Sequence, residues 1–209
     1  MGYRITEVRV LDKKRSMVYL DSGEQLPLYQ GELRRFQIES GTVLSDTDYE
    51  ELMLSLKKRV RLRCLHLLQK ADRTEIQLRE KLKEGHYPLF LIEDALEYAK
   101  SFHYVDDARF ARMYVEQYGT KRSRRQLKQD LLRRGVSAEQ IEQALAEEEI
   151  DEDAAVRKLA QKKAAVLRPQ SDADWLKVSR YLAGKGFGYE TIHRTVNSLR
   201  RESQAQTEN

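Results

Sequence analysis

The sequence predicts a mainly α-helical protein, with three tandem three-helix repeats in an elongated or curved array behind a small β-rich N-terminal segment. Three observations support this prediction. Only 3 of the 209 residues are proline and 10 are glycine, which favours long helices over many tight turns. The apolar period changes from about two residues near the N-terminus to about 3.6 residues from Ser45 onward. The helical part also repeats itself at a fixed spacing.

The β-rich segment is assigned to residues 1–45. Apolar residues cluster at positions 5–11 and 17–20, and they alternate again at positions 26–29. Asp21, Ser22 and Gly23 separate the last two runs with residues that favour tight turns, so we predict a hairpin there. A short helix near positions 32–36 and a break at Gly41 follow.

The helical part contains one pattern three times. Five positions in each copy follow at spacings of 4, 4, 6 and 4 residues: Leu78, Leu82, His86, Ile92, Leu96; Leu127, Leu131, Gly135, Ile141, Leu145; and Val178, Leu182, Gly186, Ile192, Val196. Each copy predicts two amphipathic helices joined by a turn, and further helices precede them at 46–70, 107–118 and 153–166. We therefore predict repeats at 46–105, 106–152 and 153–201, and a disordered polar tail at 202–209.

Capping residues support these helix boundaries. A residue that commonly caps a helix N-terminus stands four positions before the first apolar position of each repeat: Thr74, Ser123 and Asp174. Gln77 and Gln126 complete the capping-box pattern in the first two repeats. Gly135 and Gly186 stand where a helix is expected to stop in the left-handed conformation.

Charge is segregated along the chain, although 38 basic and 34 acidic residues leave a net charge of only +4. Only Asp130 opposes the basic side chains of residues 121–135, which are Lys121, Arg122, Arg124, Arg125, Lys128, Arg133 and Arg134. Residues 139–153 contain eight acidic side chains and no base. Such blocks suit a protein that meets both a polyanion and a basic protein surface, and solvated helix faces with a charged linker are the simpler interpretation.

The sequence contains no convincing catalytic or metal site. Cys64 is the single cysteine, and the four histidines lie too far apart in the sequence to complete a zinc site. Asp106 and Asp107 could hold Mg²⁺, but capping the helix that opens at Ala108 is the favoured role. The glycine-rich stretch 184–188 lacks both the preceding strand and the ending of a phosphate loop. We therefore predict a binding protein rather than an enzyme, with no cofactor.

Two basic stretches are the candidate binding residues. The turn at 120–125 leads into a helix N-terminus, where guanidinium groups and backbone N–H groups would together suit phosphates. A second stretch lies on the helix that enters the first repeat. The candidate set is Lys121, Arg122, Arg124, Arg125, Lys128, Arg133, Arg134, Lys57, Lys58 and Arg61. We expect contacts to phosphates or to protein, because no segment presents a set of side chains suited to reading base edges.

One stretch resembles a known family signature. The sequence from Tyr104 to Arg112, YVDDARFAR, is similar to the Y-[IV]-D-D-x-x-[FY]-A signature of the RecX family. The basic turn KRSRRQL at 121–127 and the segment LLRRGV at 131–136 also match. The likeness covers about residues 58–200, and the β-rich front resembles the N-terminal extension of RecX proteins of Gram-positive type. His86 and His103 depart from the family, in which we expect glycine, and should perturb their turns locally.

The resemblance implies a regulator of the RecA recombinase. Family members bind RecA, inhibit filament growth on single-stranded DNA, and so reduce strand exchange, ATP hydrolysis and the SOS response. The implied partners are the RecA filament and the phosphates of single-stranded, or also double-stranded, DNA. The motif residues Asp106, Asp107, Phe110 and Ala111 are interpreted as structural.

Further expectations concern location and alternative functions. The N-terminus has no hydrophobic signal segment and no apolar run approaches ~18 residues, so we expect a cytoplasmic monomer with no membrane partner. The main alternative is a stand-alone DNA-binding protein such as a transcription regulator. That function would require base-reading residues at the start of a recognition helix. A weaker alternative is a nuclease in which Asp106 and Asp107 bind the metal.

Overall fold

The computed structural model describes residues 2–148 and 150–207, which form four strands and ten helices. The chain divides into two compact units, the first ending at Asp106 and the second beginning at Asp107. The predicted fold class is confirmed: the first unit carries a small antiparallel sheet, and the rest of the described chain is helical.

The sheet consists of β1 (Tyr3–Val10), β2 (Arg15–Leu20), β3 (Gln25–Tyr29) and β4 (Val43–Leu44), in the order β3-β2-β1-β4. All three pairings are antiparallel. The predicted hairpin is confirmed between β2 and β3, where Gly23 adopts a φ of +88° that suits glycine. β4 was not predicted, because a two-residue strand is too short to show an apolar period.

The first unit also contains α1 (Gln30–Arg35), α2 (Asp46–Lys70), α3 (Glu75–Lys83) and α4 (Leu89–Ser101). Its sheet and its helices share one apolar core, in which Ile5 and Leu26 of the sheet and Leu56, Leu82 and Ile92 of the helices are fully buried. The β-rich segment and the first repeat were predicted as separate segments, and they fold here as one body because each covers the apolar face of the other.

The second unit contains α5 (Asp107–Tyr118), α6 (Arg124–Arg133), α7 (Ala138–Glu147), α8 (Glu152–Leu167), α9 (Asp172–Gly184) and α10 (Tyr189–Thr207). Its two repeats have one apolar cluster each, the first around Leu127 and Ile141 and the second around Trp175 and Val178. The helices predicted at 46–70, 107–118 and 153–166 are confirmed as α2, α5 and α8, with ends that agree to within one residue.

Helices α3, α4, α6 and α9 each end at a turn with one residue in the left-handed conformation. Gly135 and Gly186 have φ values of +86° and +84°, while His86 and His103 have +61° and +55°. All four donate their backbone N–H to the carbonyl oxygen three residues earlier, at 2.8–2.9 Å. The expected perturbation of the turns by the two histidines is therefore wrong, since both take the backbone conformation that glycine takes elsewhere.

Two predicted capping contacts are wrong. Helix α9 is capped by Ser171, and Asp174 lies in its first turn, where hydrogen bonds from Lys177 and Ser171 lower the pKa of Asp174 to about 2. An acidic group is favourable there because it meets the positive end of the helix dipole. Gln126 does not complete a capping box, because its side-chain amide donates instead to Asp130 at 2.9 Å.

The prediction of a disordered tail is wrong for residues 202–207, because α10 continues to Thr207. Glu202 explains part of this extension, since its carboxylate accepts hydrogen bonds from Arg157 at 2.8 Å and from Ser198, one turn earlier, at 2.9 Å. The predicted tail also included residues 208 and 209, which lie outside the described residues.

Candidate functional site

The basic block of the second repeat is built around one buried carboxylate. Asp130 on α6 is 5% exposed, and its oxygens accept hydrogen bonds from Gln126 at 2.9 Å and from the Tyr114 hydroxyl at 3.3 Å. The same carboxylate forms ion pairs with Arg122 and Arg133. Burial raises the pKa of Asp130, but the hydrogen bonds from Gln126 and Arg133 and the charge of Arg122 outweigh burial and lower it. The carboxylate is thus held ionised among its donors.

Aromatic rings hold two of the arginines in place. The guanidinium carbon of Arg122 lies 4.8 Å from the ring centre of Tyr118, and its Nη1 donates to the Tyr114 hydroxyl at 2.5 Å. The guanidinium carbon of Arg134 lies 5.0 Å from the ring centre of Tyr114. These contacts join α5 to α6, so Arg122 and Arg134 are engaged within the repeat.

The N-terminus of α6 already holds two acceptors. Ser123 Oγ accepts from the backbone N–H of Gln126 at 3.2 Å, and Glu152 Oε1 accepts from the backbone N–H of Arg124 at 2.5 Å. The expectation of free backbone N–H groups at this end is therefore wrong for these two donors. A phosphate that approaches the start of α6 would meet side chains rather than these amides.

Four cations of the block are exposed, and one of them, Arg133, is paired with Asp130. Lys121, Arg124 and Arg125 are exposed, and Lys121 Nζ lies 5.7 Å from the ring centre of Tyr118. Within residues 2–148 and 150–207, the guanidinium groups of Arg124 and Arg125 make no ion pair or hydrogen bond. We call Lys121, Arg124 and Arg125 the exposed basic triad. It is the part of the basic block whose geometry leaves charge available to an external anion.

Three carboxylates of the acidic stretch that follows form ion pairs within the second unit. They contact bases on other helices, namely Glu142 with Lys128, Glu147 with Arg112 at 3.9 Å, and Asp153 with Arg194 at 2.5 Å. Lys128 is therefore also engaged. Its hydrogen bond to Glu142, together with its charge, lowers the pKa of Glu142. Among the described residues of the two blocks, Lys128 and Glu142 form the ion pair that joins them, because Arg112 and Arg194 lie outside the basic block.

The second candidate stretch lies in the first unit, on α2. Lys57 and Arg61 both contact Asp94 on α4, at 2.6 and 2.7 Å, and Arg61 also lies 4.5 Å from the ring centre of Tyr98. Burial raises the pKa of Asp94, and the hydrogen bonds from Arg61 and Lys57 more than offset this effect and lower it. Lys58 is exposed on the same helix. Arg61 and Lys57 therefore help to join α2 to α4.

The signature residues lie at the start of α5 and in the core. Asp107 is the first residue of α5 and Asp106 precedes it. Ala111 is fully buried, and Phe110 packs against the same apolar cluster. Within the described part of the chain, no group of three or more histidine, cysteine, aspartate or glutamate side chains is placed to hold a metal ion. Among the described helices, none combines the length and apolar character needed to cross a bilayer.

Comparison with known proteins gives matches in both units. Models of the second and third three-helix domains of RecX match residues 106–145 and 151–196, which lie in the second unit except for Asp106. A regulatory protein RecX from Clostridium perfringens is 30% identical over 161 residues, which cover 73% of this chain and 76% of that protein. The chain belongs to the RecX family. The homologous region extends well beyond the two matched domains.

Other RecX proteins extend the match over nearly the whole chain. A regulatory protein RecX from Clostridium tetani is 27% identical over 202 residues, covering 92% of each protein. A solved structure described as "Crystal structure of regulatory protein RecX" has a TM-score of 0.61 and 24% identity, covering 93% of this chain and 99% of that one. That RecX structure supports the fold of this chain. The RecX relatives are named as regulatory proteins.

Proposed function

We propose that this chain regulates the RecA recombinase by binding its filament on single-stranded DNA. The expected outcome is mainly inhibition of filament growth, and with it of strand exchange, ATP hydrolysis and the SOS response. We also propose that the protein acts in the cytoplasm, as a monomer and without enzymatic activity or a membrane partner. The observation that carries this proposal is membership of the RecX family, in which the relatives from Clostridium are named regulatory proteins.

The exposed basic triad supports the DNA part of the proposal. Its side chains are exposed, and the guanidinium groups of Arg124 and Arg125 are engaged by no carboxylate of the described chain. A cation of this kind can neutralise a DNA phosphate and release its counterions, which makes binding dependent on salt. We assign phosphate contact to this triad. Arg122, Arg133, Arg134 and Lys128 instead have a mainly structural role in the proposal.

The transcription-regulator alternative receives less support from the helix starts. A recognition helix reads base edges with residues such as arginine, asparagine or glutamine near its N-terminus. Helix α7 begins after Ser137 with Ala138 and Glu139, and α4 begins after Pro88 with Leu89 and Phe90. Neither of these helices, the third of the first and second repeats, offers a donor set of that kind at its start, so phosphate and protein contacts fit better.

A titration into RecA filaments on single-stranded DNA tests the proposal. We expect near-stoichiometric amounts of the protein to slow ATP hydrolysis and to shorten filaments seen by electron microscopy. If neither quantity changes, the chain does not regulate RecA in this way.

The exposed basic triad predicts the effect of a charge reversal. Arg124→Glu combined with Arg125→Glu should weaken binding to single-stranded DNA about tenfold and reduce the slope of log K against log salt by ~1.4, the contribution of two phosphate contacts. The matched control is Lys13→Glu with Lys14→Glu, which changes the net charge equally at two exposed positions of the β1–β2 turn. Helical circular dichroism should be unchanged in both variants.

The comparison of the two variants decides the role of the triad. A loss of affinity for single-stranded DNA that is confined to the Arg124 and Arg125 variant supports phosphate contact at the start of α6. Equal losses in both variants would mean that only the overall charge matters. Unaltered binding and unaltered RecA inhibition in the first variant would move the site elsewhere.

A further inference from the structure

Four side chains of the first unit form a continuous row of ring contacts that ends at the surface. The Arg61 guanidinium carbon lies 4.5 Å from the ring centre of Tyr98. The ring centres of Tyr98 and Phe102 are 5.0 Å apart, with their planes tilted by 55°. The ring centre of Phe102 lies 5.8 Å from that of Tyr104, and the two planes differ by only 16°. We call Tyr98, Phe102 and Tyr104 the aromatic ladder. Its two outer rings, Phe102 and Tyr104, are 54% and 50% exposed.

The turn after α4 places the outer rings side by side. His103 adopts the left-handed conformation with a φ of +55°, and the backbone N–H of Tyr104 donates to the carbonyl of Ala99 at 2.9 Å. This is a Schellman turn, in which the residue after the left-handed position commonly packs back onto the helix. The equivalent residues after α6 and α9, Val136 and Phe187, are indeed buried, at 3% and 5% exposed. Tyr104 departs from that pattern.

The surroundings of the outer rings are polar. Lys100, Ser101 and His103, which flank them in the sequence, are all exposed. An apolar protein surface would be expected to need a wider apolar patch than two rings. A flat ligand with polar edges needs only a ring face to stack on, and unpaired nucleobases are ligands of this kind. The guanidinium of Arg61 at the inner end adds positive charge to the stack, and Lys58 lies one turn before it on α2.

We propose that the aromatic ladder is a stacking platform for unpaired nucleobases of single-stranded nucleic acid. Because Phe102 and Tyr104 already stack on each other, a base would add to the outer end of the ladder rather than insert between the rings. This inference deepens the proposed function, since it gives the first unit a contact with the bases while the exposed basic triad contacts phosphates. The inference rests on the proposed function only where RecA is concerned. Its test therefore uses nucleic acid without RecA.

The test compares two strands that differ only in their bases. The probes are fluorescently labelled oligo(dT) of about 20 nucleotides, longer than a typical single-strand site, and an abasic strand with the same number of phosphates. We expect wild-type protein to bind oligo(dT) about tenfold more tightly in fluorescence anisotropy. Tyr104→Ala should weaken oligo(dT) binding about tenfold, which corresponds to ~1.4 kcal/mol, and should leave abasic binding unchanged. Tyr104→Phe should retain wild-type affinity.

Two further variants serve as controls for this test. Phe102→Leu keeps apolar bulk but removes the middle ring, and it should also lose preference for oligo(dT). Tyr189→Ala removes a tyrosine of the second unit that is 80% exposed and stacks on His193, and it should have no effect. The slope of log K against log salt should be unchanged in the Tyr104 and Phe102 variants, because the phosphate contacts remain. Circular dichroism identifies any variant that fails to fold.

The outcomes are separable from those of the proposed function. Equal wild-type affinity for oligo(dT) and the abasic strand overturns the stacking proposal. It is also overturned if Tyr104→Ala binds oligo(dT) normally but inhibits RecA less, because the ladder would then contact protein. A preference for oligo(dT) that depends on Tyr104, in a protein that leaves RecA unaffected, supports the platform and contradicts only the RecA proposal.

Discussion

Replacement of Asp130 by alanine should destabilise the second unit by about 3 kcal/mol. The carboxylate accepts from four side chains, two on each oxygen: Arg122 and Tyr114 on Oδ2, and Gln126 and Arg133 on Oδ1. Arg133 has a 72% exposed side chain, so water can replace the carboxylate as its acceptor at little cost in free energy. Tyr114 is buried and Arg122 is only 32% exposed, so each loses its acceptor at ~1–3 kcal/mol.

The single tryptophan gives a direct assay of this unit. Trp175 is 8% exposed in the core of the third repeat, so its fluorescence during urea unfolding reports on the second unit. Asp130→Ala should lower the free energy of unfolding, and Asp130→Asn should lower it less, because the remaining amide oxygen can still accept from Arg122. A loss below about 1 kcal/mol for the alanine variant would refute the reasoning that the carboxylate holds α5 and α6 together.

The pH dependence of the free energy of unfolding follows from the lowered pKa of Asp130. A carboxyl group whose pKa is lower in the folded state contributes stability that is fully present above its unfolded pKa of about 3.9. That contribution disappears as the pH falls through the folded value. The difference between wild type and Asp130→Asn should therefore be constant near neutral pH and should shrink only below about pH 4. A difference that already shrinks between pH 7 and pH 5 would contradict this assignment.

Two further predictions concern the first unit. His86→Gly should stabilise the first unit by ~0.5–1 kcal/mol in urea unfolding, because His86 is exposed and its φ of +61° strains a residue with a Cβ. A loss of stability would mean that the histidine side chain makes a contact that stabilises the unit by more than this strain. Cys64 is fully buried, and burial raises its pKa to about 11. At pH 8 the folded thiol should therefore react with a disulfide reagent roughly a hundredfold more slowly than the thiol of the protein unfolded in urea. Comparable rates would show that this core opens readily.

The parts of the fold that local patterns determine could be predicted from the sequence. Helices α2, α5 and α8 have a clear apolar period, and Thr74 and Ser123 cap the next helices as expected. One prediction that failed, the disordered tail, depends on a contact between distant residues. Glu202 extends α10 because Arg157 of another helix reaches it, and this contact leaves no local signal in the sequence.

The candidate site was predictable as a region but not residue by residue. Seven basic residues in a short stretch indicated a charged surface, and three of them form the exposed basic triad. The sequence could not show that the lone acid Asp130 would be buried and would engage Arg122 and Arg133, because this requires α5 and α6 to pack. The aromatic ladder was also not predicted, because Tyr104 meets Phe102 only through the left-handed turn at His103.

The common core of the first unit affects any attempt to shorten the protein. Ile5, Leu26 and Leu28 of the sheet are fully buried together with Leu56 and Val60 of α2. A truncated chain beginning at Ser45 would expose that apolar side of α2 to water, and such surfaces promote aggregation. Loss of activity after such a truncation would then report on the collapse of the first repeat, rather than on any contact made by the strands themselves.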